Sequence, residues 1–235
     1  MNYTQNRRYF ASLDWILMTV LAIISIALFY LYGKFKLTFI LLLGIAILLG
    51  IGIVIFLKYF NRPSDEDIDA TYQEEADVAV RRGYKKLGLD PDMALELDPI
   101  VIHGPMVDKI GHLPAIRRGR DGKVRSSNHE MIVLFFSLQQ VYFYHEQYSV
   151  IDDERIEVTD EYFYDDIVSI SLASTTTTYY EGRYRREEHF QHQTFKLITE
   201  GRSVECAILD DDMVASAVTD MRNVLREKKG VVEHT

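Results

Sequence analysis

From Trp15 to Leu57 the chain is apolar except at one place, the pentapeptide YGKFK at Tyr32–Lys36. One membrane crossing takes about 20 residues, because a helix rises about 1.5 Å per residue and the hydrocarbon core is about 30 Å thick. The apolar run is too long for one crossing. It divides into WILMTVLAIISIALFYL (Trp15–Leu31) and LTFILLLGIAILLGIGIVIFL (Leu37–Leu57), neither with an ionisable residue. A lysine in hydrocarbon costs about 2.5–3.5 kcal/mol on insertion scales. Lys34 and Lys36 therefore belong at the bend of a hairpin, among the headgroups, where Gly33 eases the reversal. The sequence predicts spans at 15–32 and 37–57, forming an N-terminal transmembrane hairpin over residues 1–62. A buried soluble hairpin would not be apolar on every face for this length. No small-residue cleavage site of a signal peptide follows the first block.

Basic residues set the expected orientation. Arg7 and Arg8 precede the hairpin and Lys58 and Arg62 follow it, against Lys34 and Lys36 in the loop. The positive-inside bias then puts both termini in the cytoplasm of a cell whose plasma membrane holds the hairpin. The single cysteine, Cys206, forms no intramolecular disulfide and suits a reducing compartment. In the second span Ala46 and Gly50, with Gly44 and Gly52 nearby, permit close helix approach within the hairpin or between copies.

The net charge of −9 conceals a division: the first 63 residues carry six basic residues and one acid, leaving 20 basic and 34 acidic residues beyond. An acidic domain beside an anionic leaflet is repelled on average, and the same balance disfavours nucleic acid as a partner.

Residues 63–97 read as a juxtamembrane helix and linker. Ser64 caps the helix, Asp65, Glu66 and Asp67 complement its positive end, and Arg81, Arg82, Lys85 and Lys86 its negative end, before Gly88 and Pro91. Its apolar stripe is Ile68, Tyr72, Ala76, Val80 and Tyr84. The spacing Asp65-x-Asp67-x-Asp69 lacks the glycine and the final glutamate of a calcium loop, having Ala70 and Ala76 there.

From residue 98 the period changes to that of strands. PIVIHG, EMIVLFFSL, QQVYFYHEQYSVI, RIEVTDEYFY, DIVSISLAS and QTFKLITEGRSVECAIL are rich in β-branched and aromatic residues, with turns at Asp121-Gly122 and Glu200-Gly201. A closing helix follows. Asp211 or Asp212 caps it, Val214, Ala217, Val218, Met221 and Leu225 form its apolar face, and Lys228, Lys229 and Gly230 end it. The expected class is α+β.

With YFYDDIVSISL (162–172) and this closing helix, residues Asp98–Lys229 resemble a bacterial pleckstrin-homology-like domain carried on membrane spans. The resemblance implies an antiparallel sandwich or barrel over residues 98–235, plugged by the C-terminal helix and used for lipid or peptide binding. Eukaryotic members that bind lipid do so through basic residues in an early strand–loop–strand segment, to which Arg118, Arg120, Lys123 and Arg125 would correspond.

Two segments are candidate sites. Arg117, Arg118, Arg120, Lys123 and Arg125 cluster around a turn and suit phosphate or an anionic lipid, because the guanidinium fork matches such groups. As a nucleotide loop this stretch fails, with Val124 where Ser or Thr would hold magnesium. In STTTTYYEGRYRREEHF, the parity of Val168, Ile170 and Leu172 continues through Ser174, Thr176, Thr178 and Tyr180. The apolar face turns polar while strand propensity persists, which predicts a hairpin that outruns its core and projects. Tyr179, Tyr180, Arg183, Tyr184, Arg185 and Arg186 would stud its tip and bind a protein partner. His189 and His192 fall on opposite faces, a poor metal pair, and Cys206 sits among apolar residues. No catalytic set, metal or cofactor is expected. The chain reads as an integral membrane protein with a regulatory or scaffolding role, pairing with a protein partner or with itself. Anionic-lipid sensing, or membership of an oligomeric transport or permeabilising complex, is the alternative.

Overall fold

The computed structural model describes residues 1–11, 14–60, 62–92, 95–108, 110–181, 186–208 and 211–232. Its contacts divide the chain into two units, Thr4–Ser64 and a larger one containing Asp65–Thr235.

After a short helix α1 (Tyr3–Phe10), the first unit is a helical hairpin of α2 (Trp15–Phe35) and α3 (Thr38–Phe60). At 21 and 23 residues these helices are long and apolar enough to cross a membrane, and only 6% of each apolar window is buried by protein. A soluble core helix would be covered; these present their side chains outward. Asp14 caps α2, its carboxylate accepting from Leu17 N at 3.1 Å. The turn comes later than YGKFK suggests. Gly33 stays helical, and Lys36 takes the left-handed conformation (φ 57°) while donating its N–H to Tyr32 O. Helical hydrogen bonding thus runs on into residues that apolar counting assigns to the loop. The helices meet most closely at Gly44, not at the Ala46/Gly50 pair: Ser25 Oγ donates to Gly44 O at 2.9 Å, and Phe29 packs 3.5 Å from where a Cβ would stand. At the hairpin's open end Arg62 donates two hydrogen bonds to Tyr9 O.

The second unit begins with α4 (Asp65–Leu87), followed by β1 (Ile100–Met106), β2 (Ile116–Arg118), β3 (Val124–Ser126), β4 (Asn128–Phe136), β5 (Gln140–Ser149) and β6 (Arg155–Phe163). A 3₁₀ turn leads to β7 (Ile167–Glu181), β8 (Arg186–Thr199), β9 (Ser203–Ala207) and the closing helix α5 (Asp211–Val232). The strands form antiparallel sheets in the orders β1-β4-β5-β6, β2-β3 and β7-β8-β9. The class is α+β.

One core lies between the two larger sheets and α5. Ile102, Leu134, Phe136 and Phe143 come from one sheet, Ile170, Phe195 and Leu197 from the other, and Val214, Val218, Met221 and Leu225 from the helix. The helix continues to Val232 rather than ending at Gly230. Its last turns are held by Lys228 on Glu96 and by Lys229 on Ile167 O, at 2.6 and 2.7 Å.

The buried face of α4 is Ile68, Tyr72, Glu75, Ala76, Ala79 and Gly83. A strict four-residue stripe drifts around a helix of 3.6 residues per turn, so Val80 and Tyr84 end half-buried while Ala79 and Gly83 turn inward. The two sheets come close at Gly104 of β1, where a Cβ would lie 2.2 Å from Ala207 O on β9. Backbone cannot yield there. Gly104→Ala is expected to destabilise the domain by about 1–3 kcal/mol, measured as a lower urea midpoint at unchanged slope.

Candidate functional site

The hairpin β2–β3 is closed by Gly119–Lys123, with Gly122 at φ 81° and Gly119 N donating to Lys123 O. Its apolar side, Ile116 and Val124, packs with Tyr179 and Phe190 on the far part of the β7–β8 hairpin. The two segments singled out in the sequence are therefore brought together. Arg118 joins them, donating from Nη2 to His189 O at 3.1 Å and from Nη1 to Gly122 O at 3.2 Å.

Between them lies a cavity of about 470 Å³, lined by Arg118, Asp121, Lys123, His189, Phe190, Gln191 and His192 with Pro105 and Ile208. Phe190 stacks on His192 with ring centroids 4.6 Å apart and meets Tyr179 edge-on. His189 Nδ1 lies 2.9 Å from Thr178 Oγ1. The hydrogen-bonding Arg125 guanidinium holds the Asp121 carboxyl down at about 2. Arg118, Lys123 and the His192 imidazole thus lie about the Phe190 ring, with Asp121 beside them, while the His189 and Gln191 side chains turn to the opposite face of β8 and His189 offers its backbone carbonyl to Arg118. Such a lining can take a carboxylate or phosphate attached to a flat or apolar group.

The expected ligands of the basic turn separate. Arg118 and Lys123 line the cavity, whereas the exposed Arg120 donates its backbone N–H to Asp65. Arg117 stands directly across from Arg125 in the β2–β3 register. Arg125 is only 1% exposed, and its guanidinium bonds to both carboxylate oxygens of Asp69 and of Asp121 at 2.6–2.9 Å. It is a structural cation, already neutralised, and not a phosphate ligand. Of the expected tip residues, Tyr179 is 2% exposed and packs inward, which removes it from any contact surface; Tyr180 is 48% exposed. Arg186 is exposed and pairs with Glu188 at 2.8 Å. Arg183, Tyr184 and Arg185 lie outside the described residues.

Strand parity puts His189 with Thr178 and His192 with Thr175 in register, on opposite faces. Sequence reading missed that His189, Phe190, Gln191 and His192 line the cavity. The alternation along β8 was visible, but not the hairpin that covers one of its faces. Burial pushes the Cys206 thiol well above its ordinary value, with Glu130 adding to the effect. Among the described residues no group of three or more His, Cys, Asp or Glu is placed to hold a metal ion.

No protein-family model, no curated protein and no solved structure matches the chain.

Proposed function

We propose that the chain is a membrane-anchored, non-enzymatic regulatory or scaffolding protein whose sheet domain binds a protein partner at the cytoplasmic face of the plasma membrane. The carrying observation is the cavity between the two hairpins, where Arg118 and Lys123 converge beside Phe190 and His192. A partner presenting an acidic side chain next to an aromatic or aliphatic one fits that lining. Anchoring by the hairpin raises the domain's effective concentration for partners in the same membrane. A buried thiol is a poor nucleophile, consistent with binding rather than chemistry. The pleckstrin-homology-like reading is supported by the succession of a four-stranded and a three-stranded antiparallel sheet followed by a closing helix.

Photo-crosslinking residues introduced at Lys123 and at Tyr180 in the full chain in its membrane test this reading. Both positions should capture the same protein, and the exposed Ile156 on β6 should not. Capture at Ile156 as efficient as at the other two would refute the site. The second reading, an anionic headgroup on Arg118 and Lys123, predicts phospholipid adducts at Lys123 instead.

A further inference from the structure

We infer that β7 is the strand through which two copies of this chain pair, edge to edge and antiparallel, about a two-fold axis at Thr176.

β7 is the outer strand of its sheet, and three hydrogen bonds show which way its backbone points. Arg222 Nε donates to Ile170 O at 2.8 Å. Ile208 N donates to the carbonyl of Gln193, which stands opposite Ser174. Arg118 donates to the carbonyl of His189, which stands opposite Thr178. In an antiparallel ladder, opposed residues either bond to each other or both turn away. Ile170, Ser174 and Thr178 therefore direct their N–H and C=O groups away from β8, and by alternation so do Leu172 and Thr176.

Helix α5 covers the first part of this edge, Lys229 holding Ile167 O and Arg222 holding Ile170 O. Beyond Ile170 the cover stops. Among the described residues nothing bonds to the outward backbone groups of Leu172, Ser174, Thr176 or Thr178, and the last three are exposed.

Exposed strand edges are normally defended by charge, proline or brevity. The outer strand β6 carries Arg155, Glu157, Asp160 and Glu161, and the outer strand β9 has five residues. β7 has 15 residues, with no charge, glycine or proline from Ile167 to Tyr180. With Pro105 near the end of the outer strand β1, β7 is the long undefended edge among the described strands of this acidic domain.

The occupant that fits is a second copy. Small hydroxyl side chains offer an extended peptide no pockets to read, but they match themselves. With Arg222 and Lys229 blocking one end and the hairpin closing at the other, the open stretch centres on Thr176. There Ser174 faces Thr178 of the second copy and Thr176 faces its own twin, all in bonding positions and without like-charge repulsion. Cross-strand Ser and Thr pairs add to such a ladder, and an isologous two-fold contact closes on itself. The inference rests on the anchored reading only for the concentration of copies in the membrane, not for its geometry.

Two variants of the full chain test it. Thr176→Cys should form a disulfide dimer in membranes under mild oxidation, whereas Val168→Cys, exposed on the same strand but far from the axis, should not. The wild type, with only the buried Cys206, should stay uncrosslinked. A monomeric Thr176→Cys, or equal linking at both positions, would overturn the pairing. Thr176→Pro removes an outward N–H and leaves the β8 ladder intact, so it should keep the melting temperature and weaken dimerisation at least tenfold by light scattering in detergent. An unweakened dimer overturns the pairing as well. Recovery of the chain in the soluble fraction would instead refute the anchor and leave these arms readable.

Discussion

Replacing Glu146 with alanine is expected to cost the sheet domain about 3–5 kcal/mol, the range for removing one partner of a buried ion pair. The Glu146 side chain is wholly buried beneath α4 and accepts from two guanidiniums on different elements. Arg82 of α4 reaches both carboxylate oxygens, at 2.5 and 2.6 Å, and Arg155 of β6 also bonds to Oε1. Glu75 of α4 completes the set, 2.5 Å from Arg82 and 3.2 Å from Arg155. Tyr144 adds its hydroxyl 2.6 Å from Glu146. Two acids and two bases balance. Without Glu146 both guanidiniums keep only Glu75, and α4 loses its polar clamp to the sheet. Lys228→Ala, which breaks the more peripheral pair with Glu96, is the contrast and should cost at most about 1 kcal/mol. Urea unfolding of the full chain in detergent, followed by near-ultraviolet circular dichroism, measures both. A Glu146→Ala loss no larger than that of Lys228→Ala would show that the cluster does not hold the helix.

That cluster shows where sequence reading stops. Strand alternation and turn residues place β4 through β9 because side-chain direction along a strand is a local property. The same parity anticipates that Ser174, Thr176, Thr178 and Tyr180 leave the core, as their exposure shows. The fate of a charged or aromatic residue depends on what folds over it from elsewhere. Arg125 looked like a member of a basic loop until Asp69, on a helix well upstream, was brought against it. Tyr179 has the composition of an interface residue but lies under Ile116 and Val124 of a separate hairpin. Arg82 reads as helix-dipole complement, and only the fold shows Glu146 beneath it. The hairpin of apolar helices was legible because its length and apolar character are carried residue by residue, whatever the rest of the chain does.

Acid should unfold the wild-type domain before it unfolds His129→Phe. His129 is completely buried on β4, stacked on Tyr72 of α4 with centroids 4.1 Å apart and flanked by Tyr148 of β5. Its Nε2 lies 3.1 Å from Nδ1 of His103 on β1, and its own Nδ1 has no hydrogen-bond partner among the described residues. A second proton would place a cation in the core with an N–H that finds no acceptor. Burial, and secondarily His103, accordingly hold its pKa well below 6.5. The unfolded chain takes that proton as pH falls through about 6.5 and the folded chain does not, so the unfolded state binds more protons and stability drops. The slope is about 1.4 kcal/mol per pH unit, or about 2 kcal/mol between pH 6.5 and 5, until the folded imidazole itself titrates. Phenylalanine preserves the stack on Tyr72 and removes the titration. Carboxylates that protonate at lower pH affect both proteins alike, so the difference between the two stability curves reports His129 together with its hydrogen-bonded neighbour His103. It should grow steadily in favour of His129→Phe from pH 6.5 to 5, and parallel curves across that window would mean that His129 takes up its proton in the folded core as readily as in the unfolded chain.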